Sequence, residues 1–148
     1  MGPETFVDTN VFLYAFDDPR SGKADRALLC LDVLMRASLG VVSAQVVGEF
    51  ANVVRGGRVQ LSWSEAESAI DGILGTFALV PLGPDVVREA LRVVRTHGLD
   101  YWDAQIWAAA RLGGCERILT EDVHGPRIDG VEYVDPFTAG FDPRSLLG

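Results

Sequence analysis

Two hydrophobic patterns alternate along the chain. Short apolar runs rich in Val, Leu and Phe are separated by longer stretches whose apolar residues recur three or four positions apart. Phe6 to Asp8 reads as the end of a first strand, with a short helix starting at Thr9 or Asn10. Pro19 and Ser21 precede a helical stretch over about residues 22–39, with Ala24, Ala27, Leu28, Leu31, Leu34 and Met35 on one face and Gly40 as its stop. Val41-Val42 is a second strand, and Ser43 is placed to cap a helix that runs from Ala44 to the Gly56-Gly57 pair. Ser62 with Glu65 reads as a capping box for a helix over about 63–76. Ala78 to Pro81 is a third strand, and Pro84-Asp85 opens a helix that ends near His97-Gly98. Asp100 to Asp103 opens an Ala-rich helix stopped by Gly113-Gly114. Arg117 to Thr120 is a fourth strand, and Val131 to Val134 a fifth after a loop carrying Gly125 and Pro126. Strands spaced by helices predict a three-layer α/β/α sandwich around a short parallel sheet, a single domain over residues 1–148.

This pattern gives the acids a place. Ligands of parallel α/β sheets bind beyond the carboxyl ends of the strands. Asp8 interrupts the apolar run TFVDTNVFLYAF at such an end, where an ionised carboxylate needs compensation. It either caps the following helix or serves a site that uses negative charge. Glu121 and Asp122 follow the fourth strand, and Asp103 lies in a first helical turn at the same edge. Glu49 stands about six residues into its helix, some 9 Å along the axis at roughly 1.5 Å per residue, and its long side chain can reach back. Each acid also has a plainer reading: Asp100 as an N-cap, Asp103 as a dipole partner, Asp122 as a turn former, Glu49 as a solvated helical residue. Convergence on one rim favours the shared site. Clustered carboxylates raise one another's pKa unless a cation is present, and an oxygen-only set suits Mg²⁺ or Mn²⁺. Such ions serve phosphodiester hydrolysis, so the residues point to metal-dependent cleavage of a nucleic-acid backbone.

Composition narrows the classes. The chain has 148 residues, 48% hydrophobic and 23% charged, which fits a globular fold with a real core. No apolar run reaches the roughly 18 residues of a membrane span, and MGPETFVDTN lacks the pattern of a secretory signal. These features predict a cytoplasmic protein. Cys30 and Cys115 read as buried thiols, and with His97 and His124 as the only histidines a His-rich zinc site is not expected. A net charge of −8 argues against passive binding to a polyanion, so positive charge is needed near the site. Arg88, Arg92 and Arg95 share a helix face, and Arg55 and Arg58 flank Gly56-Gly57. Arg55, Arg58, Arg88 and Arg92 are the candidate RNA contacts, against the alternative of a solvated, ion-paired surface. Tyr101, Trp102 and Trp107 adjoin Asp103 and read as core or dimer interface, with stacking on a base as the alternative. A lone His124 in a loop reads as incidental.

With these residues placed, the chain resembles the PIN-domain nucleases, most closely VapC-type toxins of toxin–antitoxin pairs. FVDTNVFLYAFD (6–17), VVSAQVVGEFANVV (41–54), LDYWDAQIWAAARLGGCERILTED (99–122) and RIDGVEYVDPF (127–137) carry the resemblance. It implies a Mg²⁺- or Mn²⁺-dependent endoribonuclease in which Asp8, Glu49, Asp103 and Asp122 bind metal. Thr9, Asn10 and Thr120 support them. Asp100, where related chains often carry a small polar residue, is a further ligand, a supporting acid or a cap. The resemblance also implies tRNA or rRNA as substrate, a homodimer, and a cognate antitoxin whose tail enters the acidic site. Rival readings are a PIN nuclease of RNA or DNA processing without a toxin role, and a non-catalytic module whose acidic pocket holds a partner's arginine. A phosphatase with an aspartyl nucleophile fits less well, because position 10 is Asn.

Overall fold

The computed structural model describes residues 2–56 and 59–148, with the side chain of Pro19 left aside. Among them, six strands form one sheet: β1 (Thr5–Val7), β2 (Gly40–Ser43), β3 (Ala78–Val80), β4 (Arg117–Leu119), β5 (Arg127–Ile128) and β6 (Val131–Val134), in the order β3-β2-β1-β4-β6-β5. All neighbouring pairs are parallel except β5 with β6. Phe6 stands opposite Val41 on one side and Ile118 on the other, so β1 is central and every one of its residues is buried. That is why the strand reads as continuously apolar.

The helices are α1 (Thr9–Ala15), α2 (Lys23–Ala37), α3 (Ala44–Gly56), α4 (Trp63–Thr76), α5 (Pro84–His97) and α6 (Tyr101–Leu112). They fall into two packed groups, α1 to α4 and α5 with α6, which flank the sheet. Local chemistry sets their ends. Ser62 Oγ accepts from Glu65 N at 3.1 Å while Glu65 Oε1 accepts from Ser62 N at 3.0 Å, a complete capping box at α4. Ser43 Oγ accepts from Val46 N at the start of α3. Gly98, at φ 71°, closes α5 in the left-handed region. Ala104 to Ala110 of α6 are all buried, and Trp107 at their centre donates its indole N–H to Ile128 O at 3.1 Å. Trp107→Ala removes that whole ring from the core and is expected to cost about 3–5 kcal/mol in chemical denaturation.

Three expectations need correction. α2 ends at Ala37, and Ser38 rather than Gly40 adopts the left-handed turn, at φ 57°. Gly40 instead lies in β2 against Phe77, where a Cβ would stand 2.3 Å from the ring. Leu28 and Met35 of α2 are exposed, while Ala24, Ala27, Leu31 and Leu34 are buried. The loop expected before the last strand carries β5, paired to β6 through Asp129 (φ 44°) and Gly130 (φ 85°). Asp-Gly with positive φ at both positions is the two-residue hairpin turn. The parallel sheet therefore has one antiparallel edge strand.

Candidate functional site

The rim is built where β1 and β4 end side by side. Asp8 N donates to Leu119 O at 3.0 Å, and Thr120 N donates to Val134 O at 2.9 Å. Asp8 then turns the chain into α1 as its N-cap, with a carboxylate oxygen accepting from Thr9 N at 2.8 Å. Capping and site are the same act, because the cap aims the carboxyl group across the rim.

Asp8, Glu49, Asp103 and Asp122 line one cavity of about 360 Å³, together with Thr9, Asn10, Leu13, Gln45, Asn52, Val53, Trp102 and Ile106. Hydrogen bonds tie Asp8, Glu49 and Asp122 into one network. Thr120, itself buried, donates to Asp8 Oδ2 at 2.8 Å and accepts from Asn10 Nδ2 at 3.0 Å and Asp122 N at 3.0 Å. Asn10 Nδ2 also donates to Asp122 Oδ2 at 3.3 Å. On the other side, Thr9 Oγ1 donates to Glu49 Oε2 at 2.9 Å. The polar pair after Asp8 thus links it to the acids of α3 and of the β4 end.

Burial, the largest cause, and the charges of Glu49 and Asp122 push Asp8 up to about 6, against the bonds from Thr120 and Thr9. Asp103 is also raised, first by burial and then by Asp100, Asp122 and Glu49, while His124 opposes the rise. The cluster holds more negative charge than its surroundings accommodate.

A second, smaller cavity lies against the first, lined by Asp8, Asp103, Asp122, His124, Tyr133 and the side chains of Ile106 and Ile118. The Tyr133 hydroxyl is buried there with no hydrogen-bond partner among the described residues, which ordinarily costs about 1–3 kcal/mol. This orphan hydroxyl, an oxygen-only carboxylate set and the raised acids fit a hard divalent cation. Among the described residues no three Asp, Glu, His or Cys side chains form a ready-made ligating cluster. Asp8, Glu49 and Asp122 are each held by a protein donor instead, and exchanging such a bond costs only about 1 kcal/mol.

Other candidates fall elsewhere. Asp100 is the N-cap of α6, accepting from Trp102 N at 3.1 Å, and does not line the cavity. Glu121 turns away to Lys23 Nζ at 2.8 Å and Tyr14 OH at 2.6 Å. Arg55 lies over Trp63, 3.8 Å from the ring centre, and donates to Leu61 O. Arg92 pairs with Glu89 and Asp129. Arg88 is exposed on α5, and Arg58 lies outside the described residues. None of the candidate arginines that are described lines the cavity. Trp107 is core, whereas Trp102 is 61% exposed at the cavity.

Sequence reasoning missed a relay behind Glu49. Tyr101 OH donates to Gln105 Oε1 (2.9 Å), Gln105 Nε2 to Gln45 Oε1 (2.6 Å), and Gln45 Nε2 to Glu49 Oε1 (2.8 Å). Every donor points towards the carboxylate. The available signal was a glutamine inside the buried run of α6. His124, expected to be incidental, sets Nε2 3.4 Å from Asp103 Oδ2. Gln105→Leu leaves Gln45 Oε1 and Tyr101 OH without these partners and is expected to cost about 1–3 kcal/mol, measured by urea unfolding.

The PIN domain family model matches residues 5–131. No curated protein matches the chain. Among solved structures, the chain is similar to a toxin–antitoxin complex from Klebsiella pneumoniae (TM-score 0.65, 22% identity, covering 90% of this chain and 98% of that one). It is similar to a DNA-bound VapBC from Salmonella typhimurium (TM-score 0.67, 13% identity, 90% and 98%). It is also similar to VapC20 of Mycobacterium tuberculosis, a Sarcin-Ricin loop cleaving toxin (TM-score 0.54, 22% identity, 95% and 98%). At these identities the likenesses speak for the fold, and the family match, which spans most of the chain with all four rim acids inside it, places the chain: it belongs to the PIN domain family.

Proposed function

We propose that the chain is a divalent-cation-dependent endoribonuclease acting as the toxin of a toxin–antitoxin pair in the cytoplasm. The observation that carries the chemistry is the lining of one cavity by Asp8, Glu49, Asp103 and Asp122, with Asp8 raised to about 6. In this reading these four carboxylates hold Mg²⁺ or Mn²⁺. When bound, the cation neutralises them and polarises a phosphate oxygen. Thr120 and Thr9 orient Asp8 and Glu49 through the bonds described, and Asn10 holds Asp122. Remaining carboxylate lone pairs orient the attacking water and accept its proton.

The toxin role is supported by the family and by the toxin–antitoxin complexes among the similar structures. An apolar groove of about 340 Å³, lined by Phe12, Phe16, Leu28, Leu31, Met35 and Ile73, supports an antitoxin that docks an amphipathic helix. It also explains why Leu28 and Met35 stay exposed. A homodimer, with tRNA or rRNA as substrate, completes the proposal. Purified protein is expected to cut RNA with Mg²⁺ or Mn²⁺, to stop in EDTA, and to arrest growth on expression until the antitoxin is supplied. Cleavage that survives EDTA sinks the mechanism, and expression without growth arrest sinks the toxin role.

A further inference from the structure

The acidic cavity poses a binding problem that the proposed chemistry leaves open. Its lining holds four carboxylates and no lysine or arginine. Ion pairing with the lining therefore contributes nothing to holding RNA phosphates there, whatever the cation does at the scissile bond. Thr9 is spent on Glu49 and Asn10 on Thr120 and Asp122, and the rest of the lining is apolar or amide: Leu13, Val53, Ile106, Trp102, Gln45 and Asn52. Gln45 is spent on Glu49, Gln105 and the Trp102 carbonyl. Trp102 and Asn52 are left facing solvent at the cavity.

Trp102 is built to stay there. It sits in the first turn of α6, directly before Asp103. Its backbone N–H is tied to Asp100 and its carbonyl accepts from Gln45. Tyr101 braces the indole in a T-shaped contact at 5.1 Å and 83°. A large ring that remains 61% exposed forgoes burial, yet it is held beside a carboxylate of the site. We infer that Trp102 is a stacking platform for an unstacked nucleobase of single-stranded RNA adjoining the scissile phosphate, with the Asn52 amide facing that base's polar edge. Stacking is neutral, so it works beside clustered negative charge where a basic side chain would be drawn into ion pairs. It also selects looped or single-stranded RNA, because only there are bases free to splay out. The inference rests on the ribonuclease reading.

The test uses the full chain with Trp63→Phe as background, which leaves Trp102 as the exposed indole reporter. Short oligoadenylate and oligouridylate are titrated onto the inactive Asp8→Asn form, and KM and kcat are measured on the active form. Oligonucleotide binding is expected to quench Trp102 fluorescence. Trp102→Ala is expected to weaken binding and raise KM by roughly tenfold with kcat little changed, and to do so equally at high salt. The loss is larger for adenylate, and Trp102→Phe restores most of it. Unchanged KM and binding in Trp102→Ala overturns the platform, as does a Phe variant as impaired as Ala. So does a Trp102→Ala chain that binds RNA normally but loses a peptide partner. If the unmutated chain cuts no RNA, the nuclease reading fails by itself, and the binding titration still decides whether Trp102 meets a base.

Discussion

Asp8→Asn is expected to reduce RNA cleavage by roughly a thousandfold or more while leaving the fold intact and, at neutral pH, more stable. The loss should exceed the 10- to 100-fold typical of residues that merely support a metal ligand, since Asp8 is proposed to touch the cation itself. The gain follows from its pKa, pushed up to about 6 mainly by burial. Holding that group ionised at pH 7 costs about 3 kcal/mol relative to an ordinary carboxylate, at about 1.4 kcal/mol per unit. Asparagine removes the cost. It keeps the cap on Thr9 N but mismatches Thr120, whose hydroxyl already accepts from Asn10 and Asp122 and needs an acceptor for its own proton. That mismatch returns about 1 kcal/mol. A net gain of about 1–2 kcal/mol in urea unfolding of the metal-free protein, together with lost cleavage, marks a residue kept for function at the expense of stability. A destabilised and equally inactive variant would make Asp8 structural.

The second large effect is a coupling of stability to pH and to cation. Below the ordinary value of 3.8 both folded and unfolded Asp8 are protonated and the group contributes nothing. Between 3.8 and about 6 the folded chain holds the extra proton, so stability falls as pH rises, and above 6 the full penalty is present. Asp103, raised by the same cause, adds in the same direction. Asp18, Asp142 and Glu65 are held below their ordinary values by local hydrogen bonds, so their opposing contributions belong to more acidic pH. Metal-free protein is therefore expected to melt higher at pH 5 than at pH 7, by about 3–6 °C in a domain of this size, for the roughly 1.4 kcal/mol that Asp8 loses over the one unit from pH 5 to its value of about 6. Mn²⁺ at a hundredfold excess over its Kd should add about 2.7 kcal/mol at pH 7, and little at pH 4, where Asp8 is protonated. Scanning calorimetry across pH with and without Mn²⁺ checks both. A midpoint indifferent to pH between 4 and 7 would mean the acids do not burden the fold.

What the sequence disclosed, it disclosed through period and position. The run around Asp8 is apolar because β1 is buried on both sides, and its one carboxylate marks where the strand leaves the sheet. The four acids share one cavity because parallel strands and right-handed crossovers deliver their carboxyl ends to a single edge. Features without a period stayed hidden. β5 spans two residues, too few for alternation, and only its Asp-Gly turn betrayed it. Gln45 and Gln105 meet across 60 positions, a pairing no spacing rule encodes. Helical spacing put Leu28 and Met35 on the face of Leu31 without revealing that this edge of α2 borders an open groove. For the arginines the pattern gives less: sharing a helix face says nothing of what the face meets, and Arg92 meets Glu89 and Asp129.

One measurement reaches the central claim, that these carboxylates make a single cation site. Crystals grown with Mn²⁺ and measured at its absorption edge locate the ion by anomalous scattering. A peak in the cavity, directly ligated by Asp8 and at least one of Glu49, Asp103 and Asp122, is the predicted result. No peak there at millimolar Mn²⁺, or a peak bound only by acids elsewhere on the surface, would contradict it.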